Sequence, residues 1–496
     1  MTITYQLSLD TGDDNTFALD VTARVLELQW ERGMAQTDDA MAASANAQFL
    51  LDSLGLVESD WVGVRCRVQA TVDSTTYTLF TGNITQIRPS SGWHVPTLML
   101  TASDLLDELS AAKVSLPTLS QQTADTIIAQ ALAQLPLRRT ALSGRWQLGK
   151  SGSGELASNT RFAPLHDHPL SNGQTRFGLI DAGERDAAQL IRAICEAEGG
   201  LFYADRQGRL TFLGRNALPS RDSPQLTLQD IFLKADYGRG ESLVNQVTLM
   251  CAARETGSSD SVVWDVNEPL ACPPTTTRSL NIRWQDSNGQ VLNALDVIQP
   301  RPMVDYWIGA TSTVQSRVLT QQVAVTLTGI SPQGATLEIR NSTPQSVYVL
   351  AGATIRGTPI RILPPVAVIA TDHASVNRYG LHAITRTIPL LDNLTTALSR
   401  ARDILQRYAT PRPFVRNVTI DAQRFPDVLA LELMERVRLQ LSAPSYDRDG
   451  FVMREQHLIS QQGTRHHVTW HLLDAESVRV WVLGARRLRQ DTRITY

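Results

Sequence analysis

The stretch Ala187–Arg215, AAQLIRAICEAEGGLFYADRQGRLTFLGR, decides how the chain is read. Ala187, Leu190, Ile191, Ile194 and Cys195 recur at i, i+3, i+4, i+7 and i+8. That spacing puts an apolar stripe on one face of a helix whose other face carries Arg192, Glu196 and Glu198. Gly199 and Gly200 end the helix, because glycine takes the left-handed conformation past a helix end without steric cost. Leu201, Phe202 and Tyr203 are strand formers, Asp205 to Gly208 supply a turn, and Leu210 to Gly214 return as a second strand. This unit holds no obvious chemistry.

The same run resembles the helix-plus-hairpin segment of the hub and minor tail proteins of long-tailed bacteriophages, a family that includes the trimeric baseplate hubs of contractile tails. Residues 1–110 add a second likeness. Ile3, Tyr5, Leu7 and Leu9 share a face, Val25, Leu26, Leu28 and Trp30 form a half-buried strand, and Tyr77, Leu79 and Gly82 to Ile87 make another pair. A small barrel or sandwich follows from that alternation. Within it, YTLFTGNITQIRP followed by TLMLTASDLLDEL resembles the first barrel of tail hubs, through Phe80, Thr81, Gly82, Ile84, Asp104, Leu105 and Leu106.

Residues 111–215 read as an α+β accessory domain. Thr123 caps a helix with Ala124, Ile127, Ile128, Ala131, Leu132 and Leu135 on one face, and Pro136 stops it. A polar, Gly/Ser-rich stretch from Gly144 to about Gly173 carries His166, Asp167 and His168. An H-x-H pair without a third and fourth ligand at recognisable spacing reads as part of an exposed loop before it reads as a metal site.

Strand patterns resume over 216–255, where ESLVNQVTL resembles the opening of the second barrel in the same family. Residues 256–356 are Pro-, Thr- and Ser-rich. Short alternating strands, divided by Asn288-Gly289 and Gln333-Gly334, predict an inserted β-sandwich of roughly immunoglobulin size. Trp264 and Trp284 belong to its core or, less simply, to a ligand platform. Over 357–496, a helix carrying Leu394, Ala397, Leu398, Ala401, Leu405 and Tyr408 starts at Asp392 and is closed by Pro411 and Pro413. The strands after it complete the second barrel. His466 and His467 are neighbours on one of them, so they face opposite ways and cannot simply share a metal. Arg486, Arg487, Arg489 and Arg493 read as a solvated tail or a docking arm.

The fold class expected is therefore mainly β with a smaller α+β part: two tube-like β-barrels, an α+β accessory domain and an inserted β-sandwich. The 496 residues, 42% hydrophobic and 19% charged, supply ample core for several domains. With 46 basic against 49 acidic residues the net charge is −3, so no global field draws the chain to nucleic acid or an anionic membrane. Only Lys113, Lys150 and Lys234 are lysines; the other basic residues are arginine. Cys66, Cys195, Cys251 and Cys272 show no metal-ligand spacing and read as small buried hydrophobes, with a Cys251 to Cys272 disulfide left open. No apolar run is long enough for a membrane helix, and the N-terminus lacks the pattern of a signal peptide.

Catalytic motifs are scarce. Asp10-Thr11-Gly12 mimics the aspartic-protease loop, but that chemistry needs a second aspartate, and no second Asp-Thr-Gly or Asp-Ser-Gly occurs. No GxSxG, HExxH, P-loop or GxGxxG appears. Asp104 and Asp107 read as acids at a helix N-terminus. The expectation is a structural protein, not an enzyme, with no catalytic, cofactor-binding or metal-binding residues.

The resemblance implies a tail-tip hub subunit assembled in the host cytoplasm. A homotrimer of two-barrel chains would match a six-fold tail tube to a three-fold tip and surround the DNA exit path. Its implied partners are further copies of itself, tail tube or distal tail ring proteins, needle, spike or fibre proteins and the tape measure protein. DNA would pass only as cargo, with no stable membrane insertion. An enzymatic tool, where the tail has one, is expected on another polypeptide. Two other readings stay open: a receptor- or carbohydrate-binding protein using the sandwich near Trp264, Trp284, Tyr306 and Trp307, and a cell-wall hydrolase with its catalytic pair hidden in 111–215.

Overall fold

The structure, a computed structural model, describes residues 3–478 other than 13–15, 37–38, 54–60, 92–95, 117–118, 136–171, 181–182, 219–220, 222, 240–242, 253 and 314–318. His166, Asp167 and His168, with most of the polar stretch around them, lie outside the described residues, as do Arg486, Arg487, Arg489 and Arg493.

The chain is mainly β, with several sheets and a smaller helical part. Period-two alternation builds the N-terminal strands. Along Ala43–Asp52, Ala45, Ala47, Phe49 and Leu51 are buried while their neighbours face outward, so one face of a pleated strand supplies core. Ile3–Asp10, Val25–Gly33, Ala43–Asp52, Arg65–Val72, Thr75–Ser91 and Pro96–Ser103 pair antiparallel in this way.

The C-terminal strands Pro413–Asp421, Tyr446–Ser460 and Arg465–Asp474 do the same, with Phe232–Arg239 added at the outside. The two halves do not form separate sheets. Val25–Gly33 pairs with Tyr446–Ser460 from Leu28↔Ile459 to Gly33↔Arg454, which joins everything into one 13-stranded sheet. No closed barrel is found among the described residues. The two halves that the sequence suggested as tube-like barrels share one sheet through this pairing, which covers the inner edge of each. Gly33 permits the join: its φ is +113°, and a Cβ there would stand 2.4 Å from the Met453 carbonyl oxygen.

Three helices pack where the halves meet. α1 (Leu105–Ala111) is capped by Asp104, whose side chain accepts from the Leu106 amide at 3.0 Å. α2 (Ala124–Gln134) follows Thr123, and α3 (Ala187–Glu198) ends at Gly199 with φ +76°. Both boundaries agree with the spacing in the sequence. The hairpin Leu201–Ala204/Leu210–Leu213 follows at once. One expectation about α3 fails: Glu198 is fully buried, not on the solvated face, and its carboxylate accepts from the amides of Gln174 (2.8 Å) and Thr175 (2.7 Å).

Over 216–255, Leu226–Gln229 and Phe232–Arg239 enter the large sheet, whereas Gln246–Cys251 is the centre of a separate three-stranded sheet with Val366–Thr371 and Ala383–Thr387. α4 (His373–Tyr379), which periodicity did not predict, is capped by Asp372 through the Ser375 amide. α5 (Leu394–Tyr408) appears where the spacing places it, with Asn393 as its cap.

Between Arg254 and Ile362 three small sheets enclose a second core, with Val263, Trp284, Tyr306, Ile308, Ile339, Val347, Val349 and Ile355 buried in it. Trp284 is a core residue: it is fully buried, and its Nε1 donates to the Ser331 carbonyl oxygen at 2.9 Å.

Candidate functional site

The turn of the central hairpin makes the most concentrated set of charged contacts in the interior. Asp205 accepts from the amides of Gln207 (3.0 Å) and Arg209 (2.8 Å) and from Arg209 Nε (2.6 Å), which is the turn chemistry expected of Asp205 to Gly208. Burial pushes its carboxyl up to about 6 against those donors. The tight turn then delivers Arg206 inward. Arg206 Nη2 donates to Glu455 Oε2 at 2.8 Å, its backbone N–H donates to Glu432 Oε2 at 3.0 Å, and Nη1 reaches the Leu429 carbonyl oxygen.

Arg32 completes the cluster from the N-terminal half. Its Nε donates to Glu455 Oε1 at 2.6 Å, its Nη2 pairs with Glu432, and its Nη1 reaches the Ala204 carbonyl oxygen at 3.2 Å. Two guanidinium groups and two carboxylates thus balance, and all four residues are buried. Burial alone would raise the Glu455 carboxyl, but Arg206 and Arg32 outweigh it and hold it well below the usual range. Burial likewise works to lower the Arg32 guanidinium, and Glu432 and Glu455 hold it up.

A second polar chain continues from Glu455. His457 Nε2 lies 3.5 Å from Glu455 Oε1, His457 Nδ1 is 2.9 Å from His466 Nε2, and His466 Nδ1 is 2.9 Å from the Tyr5 hydroxyl. Trp30 stacks on His457 with ring centroids 4.5 Å apart. Burial lowers the basicity of both imidazoles, that of His466 the more. A carboxylate, two imidazoles and a phenol in a row resemble a proton relay, yet both imidazoles are buried in the interior of the fold. The cluster and this polar chain together fasten the Ile3–Asp10, Val25–Gly33, Tyr446–Ser460 and Arg465–Asp474 strands, the hairpin turn and the segment that carries Leu429 and Glu432.

Other residues singled out by sequence fall as follows. His466 is buried and His467 half-buried, on opposite faces as expected. Asp10 is buried with Arg65 Nη1 at 3.9 Å, a structural setting for the Asp-Thr-Gly run. Asp104, read simply as a first-turn acid, is buried deeply enough to push its carboxyl up to about 7. All four cysteines are free and buried, so Cys251 and Cys272 do not pair. Trp264, Trp284, Tyr306 and Trp307 present no common exposed aromatic face, because Trp284 and Tyr306 are buried. Among the described residues no group of three or more metal-ligating side chains gathers, and no helix is long and apolar enough to cross a membrane.

Sequence reasoning missed Arg32, Arg206, Glu432 and Glu455. A signal existed for two of them. Arg32 keeps the two-residue phase of the buried Leu28 and Trp30, and Glu455 keeps that of the buried Met453, His457 and Ile459.

Compared by sequence, the chain matches no family model and no curated protein. Compared by structure, it is similar to the tail protein from Neisseria meningitidis MC58, with a TM-score of 0.52 at 10% identity over 97% of this chain and 100% of that one. The 43 kDa tail protein of prophage MuSo2 from Shewanella oneidensis aligns over 96% of this chain and 99% of its own, at 10% identity and a TM-score of 0.49. The chain therefore shares the fold of the Neisseria tail protein over 97% of its length.

Proposed function

We propose that this chain is a structural subunit of the hub at the tip of a phage or phage-like tail. The observation that carries the reading is the large sheet, in which the N- and C-terminal halves continue one another and which, among the described residues, stays open at both ends. One end is the two-residue strand Leu19–Asp20. The other is the strand Phe232–Arg239, where Leu233 (57%) and Tyr237 (42%) stand exposed. An unpaired edge with exposed apolar side chains is a template for another chain, and a closed ring of copies removes such edges.

In this reading each half of the sheet serves as one tube-like unit, residues 1–110 on one side and 216–255 with 357–496 on the other. Residues 111–215 brace the pair, and 256–356 form an appended sandwich. Three copies then offer six tube-like units to a six-fold tail tube and a three-fold face to the needle, spike or fibre beyond it. A net charge of −3 suits a ring through which DNA passes without being held. The fold shared with the Neisseria tail protein supports the role, and the site geometry supports mechanical fastening above catalysis.

Gold-labelled antibody against the chain, applied to purified tailed particles assembled with it, tests the placement. Label at one end of each tail is expected. Label along the tube, or particles that carry none, would overturn it.

A further inference from the structure

A cavity of about 360 Å³ opens where α3, the exit of the hairpin and α5 meet. Among the described residues, five arginines line it, Arg192, Arg215, Arg386, Arg400 and Arg407, against two acids, Asp39 and Glu196. Arg400 is the centre of the set. Its side chain is only 12% exposed, and among the described residues its one ion-pair partner is Asp403 at 3.5 Å and its buried Nε has no hydrogen-bond partner. Glu198, the other acid nearby, is occupied by backbone amides. Burial, then the charges of Arg407 and Arg215, depress the Arg400 guanidinium to about 10.

The backbone makes room for this charge. A Cβ on Gly199 would stand 2.2 Å from Arg400 Cζ, so the glycine that ends α3 also seats the guanidinium. A buried cation crowded by like charges and short of acceptors is costly unless an anion joins it. Guanidinium forks match the oxygens of phosphate-type anions bidentately. The cavity volume falls at the lower end of small-molecule sites and excludes a nucleic-acid duplex.

We propose that this cavity binds a compact, multiply charged oxyanion of the phosphate class between Arg215, Arg400 and Arg407. The proposal is independent of the hub reading.

The test is the thermal midpoint of the full chain titrated with inorganic phosphate and with tripolyphosphate, against sodium chloride at matched ionic strength. A rise of several degrees is expected in the natural protein. Arg215→Ala and Arg407→Ala should each lose most of the rise while keeping the natural circular dichroism, and Arg438→Ala, an exposed arginine elsewhere, should keep it. No rise beyond the chloride control would overturn the proposal. So would an equal rise in Arg215→Ala and Arg407→Ala, or a rise given by a short DNA duplex and by neither phosphate.

Discussion

Arg206 and Glu455, 249 residues apart, are joined by an Nη2–Oε2 ion pair of 2.8 Å, and the other oxygen of the same carboxylate accepts from Arg32 Nε at 2.6 Å. One carboxylate on the Tyr446–Ser460 strand therefore ties the hairpin turn to the N-terminal strand. Removing one member of a buried pair leaves an uncompensated charge, so Arg206→Ala should destabilise the chain by about 3–5 kcal/mol. The exposed, bidentate Arg438–Asp447 pair makes the contrast. Arg438→Ala should leave the denaturation midpoint almost unchanged. Equal shifts in urea denaturation would show that the interior cluster has no special role.

Gly199 carries two constraints, a φ of +76° and the contact with Arg400. Alanine in the left-handed region costs roughly 1–2 kcal/mol, and the guanidinium must also move. Gly199→Ala should lower stability by more than that conformational cost, and less so when Arg400 is already alanine. A double-mutant cycle reads the coupling. Strict additivity would show that the two residues do not meet.

Burial and the neighbouring His457 hold the His466 pKa well below its ordinary value. In the unfolded chain it binds a proton near pH 6.5. The stability it contributes is thus complete above about pH 6.5 and is lost as pH falls below that, at up to about 1.4 kcal/mol per unit. Asp104 and Asp205, whose carboxyls are raised, slope the opposite way, so total stability is a poor readout. The difference between the natural chain and His466→Gln isolates the imidazole. That difference should narrow as pH falls from 6.5 to 5, and a constant difference would mean His466 titrates alike in both states.

The exposed Leu233 at the sheet edge gives a fourth prediction. Lysine there is expected to leave the monomer fold intact, since Leu233 is 57% exposed, and to lower the fraction of assembled chain in sedimentation. Unchanged assembly of Leu233→Lys would remove this edge from the interface.

The helices show what was legible in sequence. α3 and α5 announce themselves because apolar residues recur at 3.6 spacing, with Gly199 ending α3, whereas α5 was expected from Asp392 and is capped by Asn393. The strands of each half are readable for the same reason, through Ala45, Ala47, Phe49 and Leu51. The join between halves is not, because Leu28↔Ile459 pairing spans most of the chain and nothing local in either strand names its partner. Glu198 looked solvated because the amides it accepts from, those of Gln174 and Thr175 and at 3.5 Å that of Arg215, lie outside its helix. The short α4 rests on the Asp372 cap more than on any apolar stripe. The charged cluster was half legible: Arg32 and Glu455 stand in the buried phase of their strands, while Arg206 sits in a turn whose polar residues have a local explanation.

The most direct measurement is the mass of the purified chain by light scattering over a range of concentrations, with negative-stain images of the same sample. The account predicts three times the 54.7 kDa of one chain and a three-fold ring whose face shows six similar lobes. A particle of 54.7 kDa at every concentration, with no ring in the images, would contradict it.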